Sequence, residues 1–357
     1  MTTRTYQILD VGFEIQSTQD SFLDVFHQDY PRFAVPALET GQRLSIRFEP
    51  GGDGEGAYME VDGRQVALEG HLSPDRMASL SIAQLLMDRV EAFTILHAAV
   101  VGTPDGALAI SGPSGAGKTT LTLSLLEAGY SFLSDDFCPL HRESGLVHPF
   151  QRSLWVREQP GQESMNQRSG KVLFPLDGRS FPMETHPLPL KWLVCLDAGA
   201  NSKEMGIGLV RMELREGLEG PLVEAIRSLE GTEILKVRRQ WLVRYPRREG
   251  YTRRMKNLLQ QHREACWHAY TLSDAEPDFS KEPTLVPFPT HEAAFFLLRE
   301  LKHSLIGDER PGSIRPGALL SHIGALLSGV ACYRLTPGPR ARRLYLVQEL
   351  LKPKELN

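Results

Sequence analysis

Eight consecutive residues, Gly112-Pro113-Ser114-Gly115-Ala116-Gly117-Lys118-Thr119, restrict what this chain can fold into more than any other stretch. Glycines in a G-x-x-x-x-G-K-[ST] run let successive backbone N–H groups curl round phosphate oxygens, where a side chain would obstruct the approach. The lysine adds positive charge at the outer phosphates, and the threonine supplies a hydroxyl for magnesium. Such a run carries that meaning only between a strand and a helix; elsewhere it is a glycine-rich turn with a solvated lysine. Here Ala107-Leu108-Ala109-Ile110-Ser111 is an apolar strand pattern, Leu121 to Ala128 reads as a helix stopped at Gly129, and Tyr130 to Ser134 reads as the next strand. The expectation is strand, phosphate loop, helix, strand, holding a purine nucleoside triphosphate (ATP or GTP) with Mg2+. Lys118, Thr119 and the neighbouring Thr120 would line that site.

The rest of the 357 residues is long enough for two domains or for one large domain with an appended lobe. Residues 1–72 carry short alternating runs, Arg43 to Phe48 and Ala57 to Val61, separated by the turn signals Pro50-Gly51-Gly52-Asp53-Gly54 and Asp62-Gly63. They predict a small strand-rich α+β N-terminal lobe over 1–72, with an ATP-binding catalytic domain over 73–357 whose C-terminal part has room for an acceptor-binding subdomain. Ser73-Pro74-Asp75 opens a helical pattern that buries Leu80, Ile82 and Leu86. Ile95 to Val101 and Ala107 to Ser111 form a hairpin leading into the loop. Further on, Trp192 to Leu196 and Val330 to Leu335 predict strands, and 220–229, 291–306, 317–327 and 343–351 predict helices.

Two further features carry chemistry. Asp135 and Asp136 follow the strand after the loop helix, where one carboxylate can reach a metal and the other an incoming hydroxyl. A solvated turn is the competing account. His97 stands in an otherwise apolar strand, a setting more typical of a hydrogen-bonded core histidine than of a ligand.

Leu96-His97-Ala98-Ala99-Val100-Val101, Ser111 to Thr120, and Ala128-Gly129-Tyr130-Ser131-Phe132-Leu133-Ser134-Asp135-Asp136 together resemble the catalytic core of the HPr kinase/phosphorylase family. The resemblance covers roughly residues 95–140. It implies an α/β fold whose P-loop kinase core is of the HPr kinase/phosphoenolpyruvate carboxykinase type. It also implies that His97 acts near the phosphates and metal, that Asp135 is the general base, and that Asp136 is the metal-side carboxylate. The chain has no counterpart of the family's glycine-rich signature for attack by inorganic phosphate, and Thr120 replaces a glutamate of the protein kinases. It looks closer to the HPr-kinase-related proteins that bacteria place in gene clusters for modified peptides and other natural products, whose acceptors vary. The implied activity is transfer of the γ-phosphoryl group to a hydroxyl of a peptide, protein or small molecule; the alternative is a nucleotide-gated binding or regulatory protein without catalysis. The resemblance also allows self-association into a homo-oligomer.

Outside this core, Arg152 and Lys171 are candidates for stabilising charge on a transferred phosphoryl group, or else are surface cations. Lys236 to Lys256 is strongly basic, with Trp241, Tyr245 and Tyr251 interleaved, and suits either an acidic partner or a solvated helix face. A formal charge of −4 argues against a nucleic-acid partner. No apolar run approaches membrane-spanning length, and the four cysteines are widely spaced, so a cytoplasmic location is expected.

Overall fold

The computed structural model describes residues 1–38, 42–49, 58–67, 74–113, 115–157, 167–168, 171–174, 181–197, 207–215, 217–237, 240–246, 251–272, 279–300 and 316–352. The chain is a mixed α/β protein. Its N-terminal part comprises β1 (Thr2–Ile8), β2 (Val11–Ser17), α1 (Asp20–Asp29), β3 (Gln42–Glu49), β4 (Tyr58–Val61), β5 (Arg64–Ala67) and α2 (Pro74–Arg89). The five strands form one sheet in chain order, parallel between β2 and β3 and antiparallel elsewhere.

Alternation in the strands puts Tyr6, Ile8, Val11, Phe13 and Ile15 into a core with Phe22, Leu23 and Phe26 of α1. Ala78, Ile82 and Leu86 of α2 close the same core. By packing, α2 joins the N-terminal strands in a core that also takes in Phe93, Phe137 and Phe150 from further along the chain.

The central part runs through β6 (Phe93–Leu96), β7 (Ala98–Thr103), β8 (Gly106–Ser111), α3 (Lys118–Glu127), β9 (Ser131–Ser134), β10 (Cys138–His141) and β11 (Leu146–Val147). It continues with β12 (Leu154–Arg157), β13 (Gln167–Arg168), β14 (Lys171–Phe174) and β15 (Leu188–Leu196). Next come β16 (Ile207–Leu214), α4 (Glu219–Arg227), β17 (Glu233–Val237), β18 (Gln240–Pro246), α5 (Tyr251–Gln261) and β19 (Cys266–Leu272). The chain closes with β20 (Leu285–Pro287), α6 (Thr290–Glu300), α7 (Pro316–Leu326), β21 (Ala331–Leu335) and α8 (Arg340–Leu351).

Nine strands build the main sheet, in the order β6-β10-β11-β15-β8-β7-β9, with β21 on β15 and β20 on β21. Its middle strands are covered on both faces, which is why they read as continuous apolar runs and not as alternating ones. Ala98, Val100, Ala107, Ala109, Leu193 and Cys195 face α6 and α7, packing with Ala293, Leu297, Ile323 and Leu327. The intervening Ala99, Val101, Leu108, Ile110, Val194 and Leu196 face α3 and α8, packing with Leu121, Leu125, Val347 and Leu351. Helices on both sides of one sheet give a three-layer core.

Residues 207–272 form a separate unit between β15 and β20. Its order β16-α4-β17-β18-α5-β19, with the sheet order β17-β18-β16-β19 and every pairing antiparallel, is that of a ferredoxin-like β-α-β-β-α-β unit. Val210, Met212, Val243 and Tyr245 pack there under Leu222, Ile226 and Met255, giving the unit its own core. The basic stretch from Lys236 to Lys256 is accordingly the end of β17, then β18 and the start of α5, not one helix face. Among the described residues no helix is long and apolar enough to cross a membrane.

Candidate nucleotide and metal site

Strand direction explains how residues from distant parts of the sequence meet. β8 runs parallel to β15, and β15 parallel to β21. β7 is antiparallel to both β8 and β9, so β9 points the same way as β8. The carboxyl ends of β8, β9, β15 and β21 therefore share one edge of the sheet. The loop of residues 112–117, the Asp135-Asp136 pair and Asp197 all leave strands at that edge. His97 arrives there from the other direction, because Ala98 at the start of β7 pairs with Ser111 at the end of β8. Carboxyl edges of such sheets are where α/β proteins build ligand sites.

The loop itself is held by a few local contacts. Ala116 N–H donates to Pro113 O at 3.1 Å, and α3 begins at Lys118. Gly117, the residue before α3, has φ +92°, which side-chain-bearing residues adopt only with strain. Gly112 approaches the neighbouring strand so closely that a Cβ there would stand 2.9 Å from Leu196 Cβ. Lys118 is 8% exposed, and its ammonium donates to Gly112 O at 2.5 Å and Pro113 O at 3.4 Å, inside the curl of the loop. The lysine ammonium therefore lies against the loop backbone.

Thr119 Oγ1 donates to Asp135 Oδ2 at 3.3 Å. A hydroxyl and a buried carboxylate at this separation are hard oxygen donors of the kind magnesium takes, one or two protein ligands with phosphate and water completing the shell. The chemistry of Thr119 and Asp135 thus fits Mg2+. The resemblance implies Asp136 at the metal and Asp135 as base; the carboxylate beside Thr119 in the structure is Asp135. Asp136 instead faces Arg152, with 3.3 Å between its Oδ2 and Nη2.

His97 donates from Nδ1 to the Asp136 carbonyl oxygen at 3.0 Å, since a carbonyl can only accept. In the neutral ring this fixes the lone pair on Nε2. The His97 carbonyl in turn accepts from Ser111 Oγ at 3.0 Å, tying the histidine to the end of the loop strand.

Arg152 is positioned by the segment that runs beside β9. Phe150 N–H donates to Leu133 O at 2.9 Å, and Gln151 Nε2 donates to Phe132 O at 2.9 Å and Glu184 O at 2.5 Å. The N-terminal lobe supports it: Ser153 Oγ and N–H donate to Gln28 O at 2.6 Å and Asp29 O at 3.0 Å, and Phe33 packs on Phe150 with 5.0 Å between ring centres. Burial works against the Arg152 charge, but Asp136, with Tyr30, Asp29 and Asp135 adding, outweighs it and raises the guanidinium above its ordinary pKa. A cation permanently held beside both aspartates is the result.

Two residues at this edge escaped the sequence reading. Asp197 directly follows β15 and pairs with Arg334 of β21, whose Nε donates to Oδ2 at 2.9 Å. An apolar strand ending in aspartate, Leu193-Val194-Cys195-Leu196-Asp197, was the available signal. Arg343 of α8 is 4% exposed and donates from Nη1 to Ala116 O at 3.2 Å. Nothing in its local sequence, one arginine among several on a C-terminal helix, marks it out.

The other expected residues are spread differently. Thr120 is exposed on the first turn of α3. Ser114 lies outside the described residues, as do Arg238, Arg239, Arg247 and Arg248 of the basic stretch. The side chain of Lys171, at the start of β14 in the three-stranded sheet β12-β14-β13, is likewise outside what is described. Cys138, Cys195 and Cys332 are buried, and burial pushes the Cys138 thiol up to about 12, which leaves it protonated and unreactive. No protein-family model matches the chain, and no curated protein matches it in sequence.

Proposed function

We propose that the chain is an ATP- or GTP-dependent phosphotransferase that places the γ-phosphoryl group on a hydroxyl acceptor. The observation carrying this reading is the Thr119–Asp135 contact at 3.3 Å beside the buried Lys118. Loop amides and Lys118 bind the polyphosphate, while Thr119 and Asp135 would hold magnesium, which when bound neutralises charge on the transferring group. Asp136, kept in place by Arg152 and by the His97 bond to its carbonyl, orients the acceptor hydroxyl. It takes the acceptor's proton as the new P–O bond forms and the nucleoside diphosphate leaves. This reverses the roles that the family resemblance implies for the two aspartates. Arg152 adds positive charge at the reacting group.

The acceptor is assigned to the ferredoxin-like unit. In the chain it follows β15, whose carboxyl end lies at the same edge of the sheet as Gly112. A peptide, protein or small natural product fits this reading equally.

The test is mass spectrometry of the purified protein incubated with Mg-ATP and fractionated peptides and metabolites. The expected result is a species carrying an added phosphoryl group that Lys118→Ala fails to produce. Tight nucleotide binding with no transfer to any fraction would instead favour a nucleotide-gated binding protein. Absence of nucleotide binding would sink both.

A further inference from the structure

Arg343 is the least compensated charge near the site. It lies on α8, behind the phosphate loop, and is 4% exposed. Its Nη1 donates to Ala116 O, and a Cβ on Gly117 would stand 2.8 Å from that same nitrogen. The guanidinium carbon lies 5.9 Å from the centre of the Phe279 ring. Beyond one carbonyl and one ring it has little: Nε and Nη2 are buried without a hydrogen-bond partner, and no carboxylate pairs with it among the described residues.

Burying a cation this way is costly, and the folded protein shows the cost as a guanidinium pKa lowered by burial to about 10. The rest of α8 is conventionally satisfied. Arg340 Nε donates to Ser124 Oγ at 2.6 Å and pairs with Glu127, and Arg342 pairs with Glu282 at 2.7 Å. An uncompensated charge is therefore a property of the one arginine that touches the loop. Lys118 is a second buried cation at the same loop.

We propose that Arg343 is a positioning residue of the nucleotide site: from behind the loop it orients the Ala116-Gly117 backbone and supplies fixed positive charge that bound polyphosphate compensates. The C-terminal helix is thereby part of the phosphate-binding machinery. This inference rests on the nucleotide-binding reading above and adds to it a residue and a sense of selectivity, for phosphate number over the nucleoside.

The experiment compares the full chain with Arg343→Met and Arg343→Lys, titrated by calorimetry with ATP, ADP, AMP and inorganic tripolyphosphate, each protein also melted without ligand. For Arg343→Met we expect affinity to fall about tenfold or more for ATP and tripolyphosphate, less for ADP, and to be unchanged for AMP, because one charge acts on several phosphates through a poorly screened loop. Arg343→Lys should recover most of the loss. The ligand-free Met variant should melt no lower than the wild type, since an uncompensated charge has been replaced by an apolar side chain. Should Arg343→Met fail to fold, the same comparison is made with Arg343→Gln. Equal losses for ATP and AMP, or wild-type affinity for ATP, would overturn the proposal while leaving the nucleotide site standing. A wild-type chain that binds none of the four probes would overturn both.

Discussion

Thr119 on the first turn of α3 and Asp135 after β9 lie 3.3 Å apart, joined hydroxyl to carboxylate across 16 residues of sequence. The pair exists because β9 and β8 point the same way with β7 between them, which brings the end of one strand beside the helix that follows the other. That relationship separates the two aspartates. Asp135→Asn should weaken nucleotide binding in the presence of magnesium and leave the magnesium-free affinity near wild type. Asp136→Asn should keep both affinities and lose turnover by at least about 100-fold. Calorimetry with and without Mg2+, followed by the transfer assay, checks this, and the reverse pattern would restore Asp135 as the base.

Lys118→Ala should abolish measurable nucleotide affinity and transfer while the protein stays folded. The ammonium donates to the loop carbonyls of Gly112 and Pro113. Melting curves beside binding isotherms distinguish a lost site from a lost fold.

Arg152→Met leaves Asp136 without its cation and should lower turnover by about 100-fold or more with a smaller change in nucleotide affinity. Arg152→Lys should restore part of it, limited by the loss of the planar fork. A fall in affinity equal to the fall in turnover would instead show that Arg152 serves binding alone.

Gly117→Ala meets two obstacles, a φ of +92° and the Arg343 Nη1 only 2.8 Å from the new methyl group. A cost of about 1–3 kcal/mol follows from the backbone alone. Pairing it with Arg343→Ala removes the collision but not the strain. The double variant should therefore regain part of the lost melting temperature, and strict additivity would show that the two residues do not press on each other.

Stability should fall in mild acid through two histidines that flank β6. Burial, with His141 adding, lowers the pKa of His148, whose ring lies 4.8 Å from Phe93; burial, with Arg142 adding, lowers that of His322, which bonds Thr94 Oγ1 at 2.8 Å. A histidine whose folded pKa is below its unfolded value binds protons more readily when unfolded. Its contribution is complete above about pH 6.5 and is lost as pH drops through the folded value. Melting temperatures at pH 7.5 and 5.5 should differ less in His148→Gln than in the wild type.

Much of the core was legible from residues alone because its signals are local. The glycine pattern, the apolar runs on either side and the helix after it all act within a few residues of one another, and α3, β8, β9 and β21 lie where periodicity puts them. Within the strand-rich α+β lobe expected at the N-terminus, β1, β2 and α1 were not placed individually, since strand and helix patterns of seven to ten residues blur when neither end is marked by a strong cap. The helix at 220–229 was legible in the ferredoxin-like unit, but its topology was not, for a different reason. Its identity resides in strand order and pairing, which are contacts between segments far apart in sequence.

By itself, then, the amino-acid sequence determined the strand–loop–helix element, the lysine and threonine it presents, and the presence of two carboxylates one strand later. Backbone sterics and hydrophobic periodicity operate over short range and need no partner to be read. Which carboxylate meets Thr119, that Arg152 belongs to Asp136, that His97 is locked through Nδ1, and that Arg343 reaches Ala116 from 227 residues away were decided only by tertiary structure. Each of those depends on strand direction and on which helix covers which face, and both are settled by burying the two sides of one sheet at once.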